Sequence, residues 1–577
     1  MNTSAKTRPV VLVSPPMEKA CEPLLGIATL KAFLELHDVP CECIDANVEA
    51  QDWILNADRI DAMVAAAGGV AANREFRAWP TLRRQIDRLK AGLRSWYAYE
   101  DENRYRTTVT SLNRALGVAA AATSPHIRAT LSNYEDTRYC DMDSGSVLDA
   151  ARAPEDNLFF PWFRDVLIPR IAALNPSVVG LSFIFRSQLI PGAVLAGMIK
   201  TALPDVHVTL GGELISAWVD IVEDTHLLEL GDSIIPYEGE LPLLALARAD
   251  GVCGEDVPNL IWRDVDGRVH KNPTKKVHAL SEVPAPDYSW ARWDLYFSPV
   301  RTAAMVTARG CYWNRCTFCP EVVNPETLLR VAQVPRLAAD MDEIHERYGV
   351  QHFHFIDSAL PPRTMVGVAQ HIIDNNRPYT WYGFSRLERV LRKPSLTQLL
   401  AQGGCRMLKL GLETASQRLL DGMDKRQNVD DVSAILRNLR AAGIMVHAFL
   451  MFGTPREVHE DAEATRAFIA EHSDCVQFLN CSLMNLAHGS PMGLDPPAHG
   501  ITGVTPFTIE GRTLDLALYS NFEGEGWGRL EARRFLHREF LKDPDVRPLH
   551  VRTAAIYDSN HSAFFHAMLF GAESSAA

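Results

Sequence analysis

The stretch GCYWNRCTFC puts Cys311, Cys316 and Cys319 within nine residues of one another, among aromatic and basic neighbours. Thiolates bind soft metals and iron-sulfur clusters. Four of them would close a cubane cluster, whereas three leave one iron open to a ligand, as catalytic zinc sites keep a position that structural ones fill. A structural zinc would need a fourth ligand, and no second close cysteine pair or helix-spaced histidine pair stands out as one. His352 and His354, two apart in HFHF, read as packing residues of a strand. The other eight of the eleven cysteines, at positions 21, 41, 43, 140, 253, 405, 475 and 481, are scattered and read as small buried hydrophobes.

The elements around the triplet alternate. Strand-like TAAMVTARG precedes it, and the apolar runs HFHFIDS, TWYGFSRL, RMLKLGLET, IMVHAFLMFG and VQFLNCSLM follow, with helix-patterned segments between them. In one of those helices Asn428 is the cap, Asp430 and Asp431 lie in the first turn, Val432, Ile435, Leu436 and Leu439 form the apolar stripe, and Gly443 ends it. Six strands with helices between them predict a partial (β/α)6 TIM-type barrel over 301–490, with the cysteines on the loop after its first strand, the end at which barrel enzymes do chemistry. Residues 491–577 lose this rhythm, and GRLEARRFLHREFL predicts a helical C-terminal cap.

Residues 1–250 carry a second alternation, from PVVLVSPP through CECIDAN, VVGLSFIF and HVTLGGEL to DSIIPYEGE. Nearly continuous apolar strands separated by helices predict an α/β, Rossmann-like doubly wound sheet. A helical insertion is expected at about 50–155, and 251–300 reads as a hairpin and a proline-punctuated linker. Ligands of such sheets bind beyond the carboxyl ends of the strands. Here those ends carry Ser14, Ser182, Phe183, Arg186, Gly211, Gly212, Glu213, Tyr237, Glu238 and Gly239, and no G-x-G-x-x-G follows the first strand, which weakens a nicotinamide reading.

A three-cysteine loop after the first strand of a partial barrel resembles the radical S-adenosylmethionine (SAM) superfamily, over roughly residues 300 to 490. The resemblance implies a [4Fe-4S] cluster on Cys311, Cys316 and Cys319 whose open iron chelates the amino and carboxylate groups of SAM. Electron transfer into the sulfonium would then yield a 5'-deoxyadenosyl radical. This chain departs from the family in having four residues, rather than three, between the first two cysteines, an excess that a bulge can absorb. The resemblance further implies Phe318 behind the adenine, Asp357 near the methionine amino group, Ser385 and Arg386 near its carboxylate, Glu413 near the ribose, and the backbone of Phe452 and Gly453 along the adenine. Gly411 and Gly453 would let the ligand approach where no Cβ intervenes.

The N-terminal part resembles the cobalamin-binding domain that precedes the barrel in one large radical SAM class. That implies cobalamin over the strand ends, its tail passing Gly211 and Gly212. No D-x-H-x-x-G motif is present, so the cofactor would be bound without a protein histidine, and Arg186 would cover the lower cobalt face. The function implied is methylation of an unactivated carbon of a small molecule or peptide natural product. Two alternatives are a radical SAM cyclase or rearrangement enzyme that transfers no methyl, and a cobalamin-fold scaffold or sensor that binds no cobalamin. The partners expected are the substrate and an electron donor such as flavodoxin or ferredoxin.

Composition sets the outer limits. Apolar residues at 47% and charged residues at 22% are ordinary for a globular protein, and 577 residues call for several domains. A formal charge of -13, with no second cysteine set or basic C-terminal module, disfavours nucleic acid and tRNA methylthiolation. No apolar run approaches the ~20 residues of a membrane span, and no signal peptide is evident, so a cytoplasmic enzyme is expected.

Overall fold

The computed structural model describes residues 8–322, 329–553 and 558–571. The chain forms two compact units, one of Met1–Ala98, Asn103–Pro299 and Glu346–Tyr348, the other of Tyr99–Glu102, Val300–His345 and Gly349–Ala577.

The first unit is built on seven strands, β1 (Val10–Ser14), β2 (Cys41–Asp45), β3 (Val178–Ser182), β4 (His207–Gly211), β5 (Ser233–Ile235), β6 (Ile261–Arg263) and β7 (Val269–Lys271). Their order is β2-β1-β3-β4-β5-β6-β7. The first five are parallel, and β1 sits between β2 and β3, pairing Val10 with both Cys41 and Val178. Every residue of β1 is buried, as a strand covered on both faces requires. Ile27, Phe33 and Leu34 of the helix Leu25–Leu36 and Leu243, Leu244 and Leu246 of the helix Glu240–Arg248 join β1 and β2 in one apolar core. The parallel strands thus run in the order 2-1-3-4-5, with the chain reversal between β1 and β3.

Two expectations are corrected here. The insertion between β2 and β3 is not purely helical: beside helices such as Glu102–Thr123 and Ser144–Arg152 it holds an antiparallel hairpin, Ile127–Thr130 with Asn133–Asp136. The 261–271 hairpin does not stand apart from the sheet, because β6 pairs antiparallel with β5 and extends it.

The second unit holds β8 (Thr302–Met305), β9 (His352–Phe355), β10 (Thr380–Ser385), β11 (Cys405–Glu413), β12 (Met445–Phe452) and β13 (Phe478–Leu483). They follow one another in space in chain order and all five pairings are parallel, so the six strands that the alternation predicted form one parallel sheet. The helix expected after Asn428 runs over Val429–Ala441; the Asn428 carboxamide accepts from the amides of Asp430 at 2.8 Å and Asp431 at 3.2 Å, and Val432, Ile435, Leu436 and Leu439 are buried.

Beyond β13 the cap is not simply helical. Leu486–Ala487, Ile501–Thr505 and Tyr519–Gly524 form a three-stranded antiparallel sheet before the expected helix appears as Arg529–Arg538. His561 and His566, further along this segment, are packing residues. His561 is fully buried beside Tyr99, and His566 donates through Nε2 to the Gly443 carbonyl at 2.8 Å. His352 and His354 are likewise buried in the sheet: His352 Nδ1 lies 2.7 Å from Thr380 Oγ1, and the His354 ring stacks on Tyr382 with its Nε2 at 2.7 Å from Lys409 Nζ. Among the described residues no helix is long and apolar enough to cross a membrane.

Candidate active site

The cysteine loop starts where β8 ends, and a buried carboxylate fixes that start. Asp357, just past β9, accepts from Thr307 N at 3.0 Å, Thr307 Oγ1 at 2.8 Å and Ala308 N at 2.6 Å. The resemblance placed Asp357 near a ligand's amino group; in the structure its carboxylate binds the Thr307 and Ala308 amides and the Thr307 hydroxyl. Burial raises its pKa and these hydrogen bonds oppose the rise.

The loop then turns through Gly310 and Asn314, both at positive φ, and docks on the segment after the helix Gln417–Gly422. Trp313 Nε1 donates to the Asp424 carbonyl at 2.9 Å, Arg315 Nε reaches the Asp424 carboxylate at 3.0 Å, and Thr317 N donates to the Met423 carbonyl at 3.1 Å. Tyr312 Oη donates to Glu388 at 3.0 Å. Through these anchors the extra residue between Cys311 and Cys316 is held in an ordered turn.

All three thiols are half-buried. Burial raises Cys316, while the charges of Lys425 and Arg386 pull it down; burial pushes Cys319 up to about 12. Cys316 and Cys319 both feel the charge of Cys311, so the three share one electrostatic neighbourhood, although among the described residues no three histidine, cysteine or acidic side chains close around a common point. Two cations serve this neighbourhood. Arg386, just past β10, donates to the Lys425 carbonyl at 2.6 Å and to Glu388 at 3.0 Å, lies 3.9 Å from Cys316 Sγ and stacks its guanidinium 4.1 Å from the Trp313 ring centre. Lys425 is paired with Glu413 at 2.7 Å and lies 5.8 Å from the centre of the Phe318 ring. Thiolates flanked by cations suit iron ligation, since the metal must displace protons that burial alone would retain.

The other candidates divide. Arg386 and Glu413 stand beside the cysteines, and Phe318 packs on an apolar cluster of Leu419, Met423, Met451, Met484, Leu486, Met492 and Ile501. Ser385 is buried and turns its hydroxyl to the Arg386 carbonyl. The Phe452 side chain is buried against Phe535 and Phe540, and its carbonyl accepts from Met484 N at 2.8 Å. Gly453 has φ 76°, and its backbone and Thr454 hydrogen-bond to the Glu457 carboxylate. Gly411 is explained by its neighbours, because a Cβ there would meet Glu413 Oε1 at 2.6 Å and Lys425 Nζ at 3.0 Å: the glycine makes room for the ion pair. Lys425 and Trp313 were not legible. MDKRQ reads as a solvated charged turn, and only the left-handed Asp424 and Arg426 that reverse the chain there bring the lysine inward.

In the first unit, Ser182, Arg186, Gly211, Gly212, Glu213, Tyr237, Glu238 and Gly239 are at least partly accessible at or just beyond the carboxyl ends of β3, β4 and β5. Ser14 and Phe183 are not. Phe183 is core, its ring filling the space a Cβ on Gly192 would need. Gly212, at φ 100°, answers the same residue, because a Cβ there would run into the Phe183 carbonyl; Gly239 makes room for Leu30 at 3.1 Å. Arg186 is ion-paired with Asp141, and its Nε is buried without a hydrogen-bond partner.

Ser14 belongs to a buried polar knot. Its hydroxyl donates to Glu18 at 3.0 Å, Glu18 N donates to Asn47 at 2.9 Å, Gln51 donates to Asn47 at 2.7 Å, and Tyr296 donates to Asp45 at 2.7 Å. Burial first, then the Asp45 charge, pushes the Glu18 carboxyl up to about 8; burial pushes Asp45 up to about 6. A raised carboxyl stabilises the fold fully below the ordinary carboxylate range, and that contribution is lost as pH rises through about 8. The loss amounts to roughly 1.4 kcal/mol per unit of pKa elevation. Glu18→Gln, which keeps the shape without the charge, should flatten the fall in melting temperature between pH 5 and 8; an unaltered slope would show that Glu18 does not titrate there.

Residues 305–469 match the sequence pattern of the Radical SAM superfamily, so this stretch is a radical SAM domain. Among curated proteins the chain is similar to an uncharacterised methyltransferase of Pyrococcus horikoshii, 24% identical over 308 residues, or 52% of this chain and 65% of the relative. It is also similar to the anaerobic magnesium-protoporphyrin IX monomethyl ester cyclase of Rubrivivax gelatinosus, 23% identical over 52% of this chain and 55% of that one. The matched part thus spans less than two thirds of either relative. Among solved structures the fold is similar to that of the radical SAM methyltransferase TsrM from Kitasatospora setae, described with cobalamin and a [4Fe-4S] cluster bound, at a TM-score of 0.54 and 16% identity, covering 88% of this chain and 78% of that one.

Proposed function

We propose that the protein is a cobalamin-dependent radical SAM methyltransferase acting on an unactivated carbon of a small molecule or peptide. The observation that carries this reading is the three-thiol loop after β8, flanked by Arg386 and Lys425 at the carboxyl end of a six-stranded parallel sheet. Cys311, Cys316 and Cys319 would hold a [4Fe-4S] cluster, which when bound supplies the electron that cleaves SAM. Asp357 sets where the loop leaves β8, Arg386 and Lys425 offset thiolate charge, and Glu413 holds Lys425 in place. The accessible strand ends of the first unit, with Arg186 and the Gly211–Gly212 turn, would receive cobalamin, consistent with the cofactor named for the structural relative. An electron donor such as flavodoxin or ferredoxin would serve the cluster.

A second reading, a radical SAM cyclase that transfers no methyl, is favoured by the similarity to the Rubrivivax cyclase. Anaerobic reconstitution with iron, sulfide and cobalamin, followed by turnover with SAM, separates the two. Methyl transfer should release 5'-deoxyadenosine and S-adenosylhomocysteine in comparable amounts. 5'-Deoxyadenosine without S-adenosylhomocysteine would favour the cyclase reading, and the absence of cobalt after reconstitution would remove the methyltransferase reading.

A further inference from the structure

The chain carries a formal charge of -13, yet on the helix Arg529–Arg538 and the turns after it exposed cations outnumber exposed acids. Ala532, Phe535 and Leu536 are buried, while Arg533, Arg534, Arg538, Lys542 and Arg547 are exposed and form no ion pair among the described residues. Nearby acids do not cancel them all. Asp543 is spent on Arg466, Glu539 lies 3.4 Å from His459, and Glu531 and Asp545 remain. The helix dipole favours cations in the last turn, which accounts for Arg538 but not for Arg533 and Arg534 further back. Leu530, 64% exposed, adds an apolar spot to the face.

This helix is fastened to the end of β12. Phe535 and Phe540 pack on Phe452 at the end of β12, and Arg529 Nη1 donates to the Met484 carbonyl at 2.6 Å. Met484 belongs to the apolar cluster on which Phe318 packs, and Phe318 stands between Cys316 and Cys319. The helix and the cysteine loop are thus both anchored at Met484, Arg529 through its carbonyl and Phe318 through the cluster to which its side chain belongs.

We propose that the basic face of Arg529–Arg538 is the docking surface for an acidic, low-potential one-electron donor of the flavodoxin type, resting on the cluster assignment above. Opposite charge on the two surfaces steers encounter and orients the donor, with a strong dependence on salt. In the exchange the flavin hydroquinone is oxidised to the semiquinone and the cluster gains that one electron.

The test compares Arg533→Glu/Arg534→Glu with a control of equal charge change at exposed sites elsewhere, Arg363→Glu/Lys393→Glu. Two readouts are taken: the affinity of the chain for a recombinant flavodoxin, and the rate of cluster reduction by flavodoxin hydroquinone or by dithionite. At low ionic strength the helix variant should lose about tenfold or more in affinity and in flavodoxin-driven rate. The difference should shrink as salt rises, the dithionite rate should stay at the wild-type value, and the control should behave as wild type. Equal flavodoxin binding and rates in variant and control would overturn the proposal, and tighter binding of polyglutamate than of flavodoxin would reassign the face to an acidic peptide. If the helix variant loses its melting transition, Arg533→Gln/Arg534→Gln, with half the charge change, takes its place under the same criteria. Failure of dithionite to reduce any cluster in the wild type would count against the cluster reading, while flavodoxin affinity of the unreconstituted chain would still report on the docking face.

Discussion

Replacing Cys316 with alanine is expected to remove the visible absorbance of the reconstituted iron-sulfur cluster and to bring SAM cleavage below detection, with little change in the melting temperature. The effect should be this large because three ligands are the minimum that hold a cluster with one open iron, and the chain offers no substitute thiol on that loop. Stability should survive because Cys316 is half-buried, the Arg386 guanidinium stands 3.9 Å from its sulfur, and Trp313, Arg315 and Thr317 anchor the loop independently of the thiol. Alanine at Cys311 and at Cys319 should do the same. Iron and sulfide analysis with electron paramagnetic resonance after reduction decides the matter. A variant that keeps a wild-type signal would show that its thiol is not a ligand, and retention by all three would end the radical SAM assignment of the site.

The second large effect is expected from Arg386→Ala, which should weaken iron retention by about 10- to 100-fold, as loss of a partner that orients metal ligands does. It should also destabilise the second unit by about 3–5 kcal/mol, the usual cost of breaking a buried charged network by removing one partner. Arg386 holds the Lys425 carbonyl and Glu388, covers Trp313 and faces Cys316, so one truncation releases both the segment on which the cysteine loop rests and a charge that favours its thiolate. Arg386→Lys should restore the charge but not the shared hydrogen bonds, because an ammonium is a point charge where the guanidinium is a planar fork. A denaturant melt and an iron count on the three proteins separate the two contributions; wild-type iron content in Arg386→Ala would exclude the role.

Much of this arrangement could be read before the fold was known, and the parts that could not share a cause. The six parallel strands β8 to β13 were legible because each is a short apolar run between helices with caps and stripes, as around Asn428. The 127–136 hairpin was not, since its two strands are four residues each and their buried face includes the charged Asp136 beside Ile127, Ala129 and Tyr134; nor was the sheet through Ile501–Thr505 and Tyr519–Gly524, whose residues are mostly exposed. The cysteine loop announced itself by ligand type and spacing. Its supports did not: Lys425 reaches the site only through a chain reversal, and at Gly411 and Gly212 neighbouring side chains or backbone leave no room for a Cβ. Phe183 shows the same limit, since an aromatic at a strand end reads identically whether it faces a crevice or fills the core.

The position of β1 between β2 and β3 has a consequence for how the chain comes into being. During synthesis β1 and β2 emerge together, but the strand that completes the centre of the sheet arrives only after the whole insertion has been made. A two-stranded ribbon is marginal by itself, and closing so long a loop is entropically slow. The apolar β1 and β2 must therefore wait, unburied, until β3 is made, which makes them natural clients for chaperones that shelter extended hydrophobic chain.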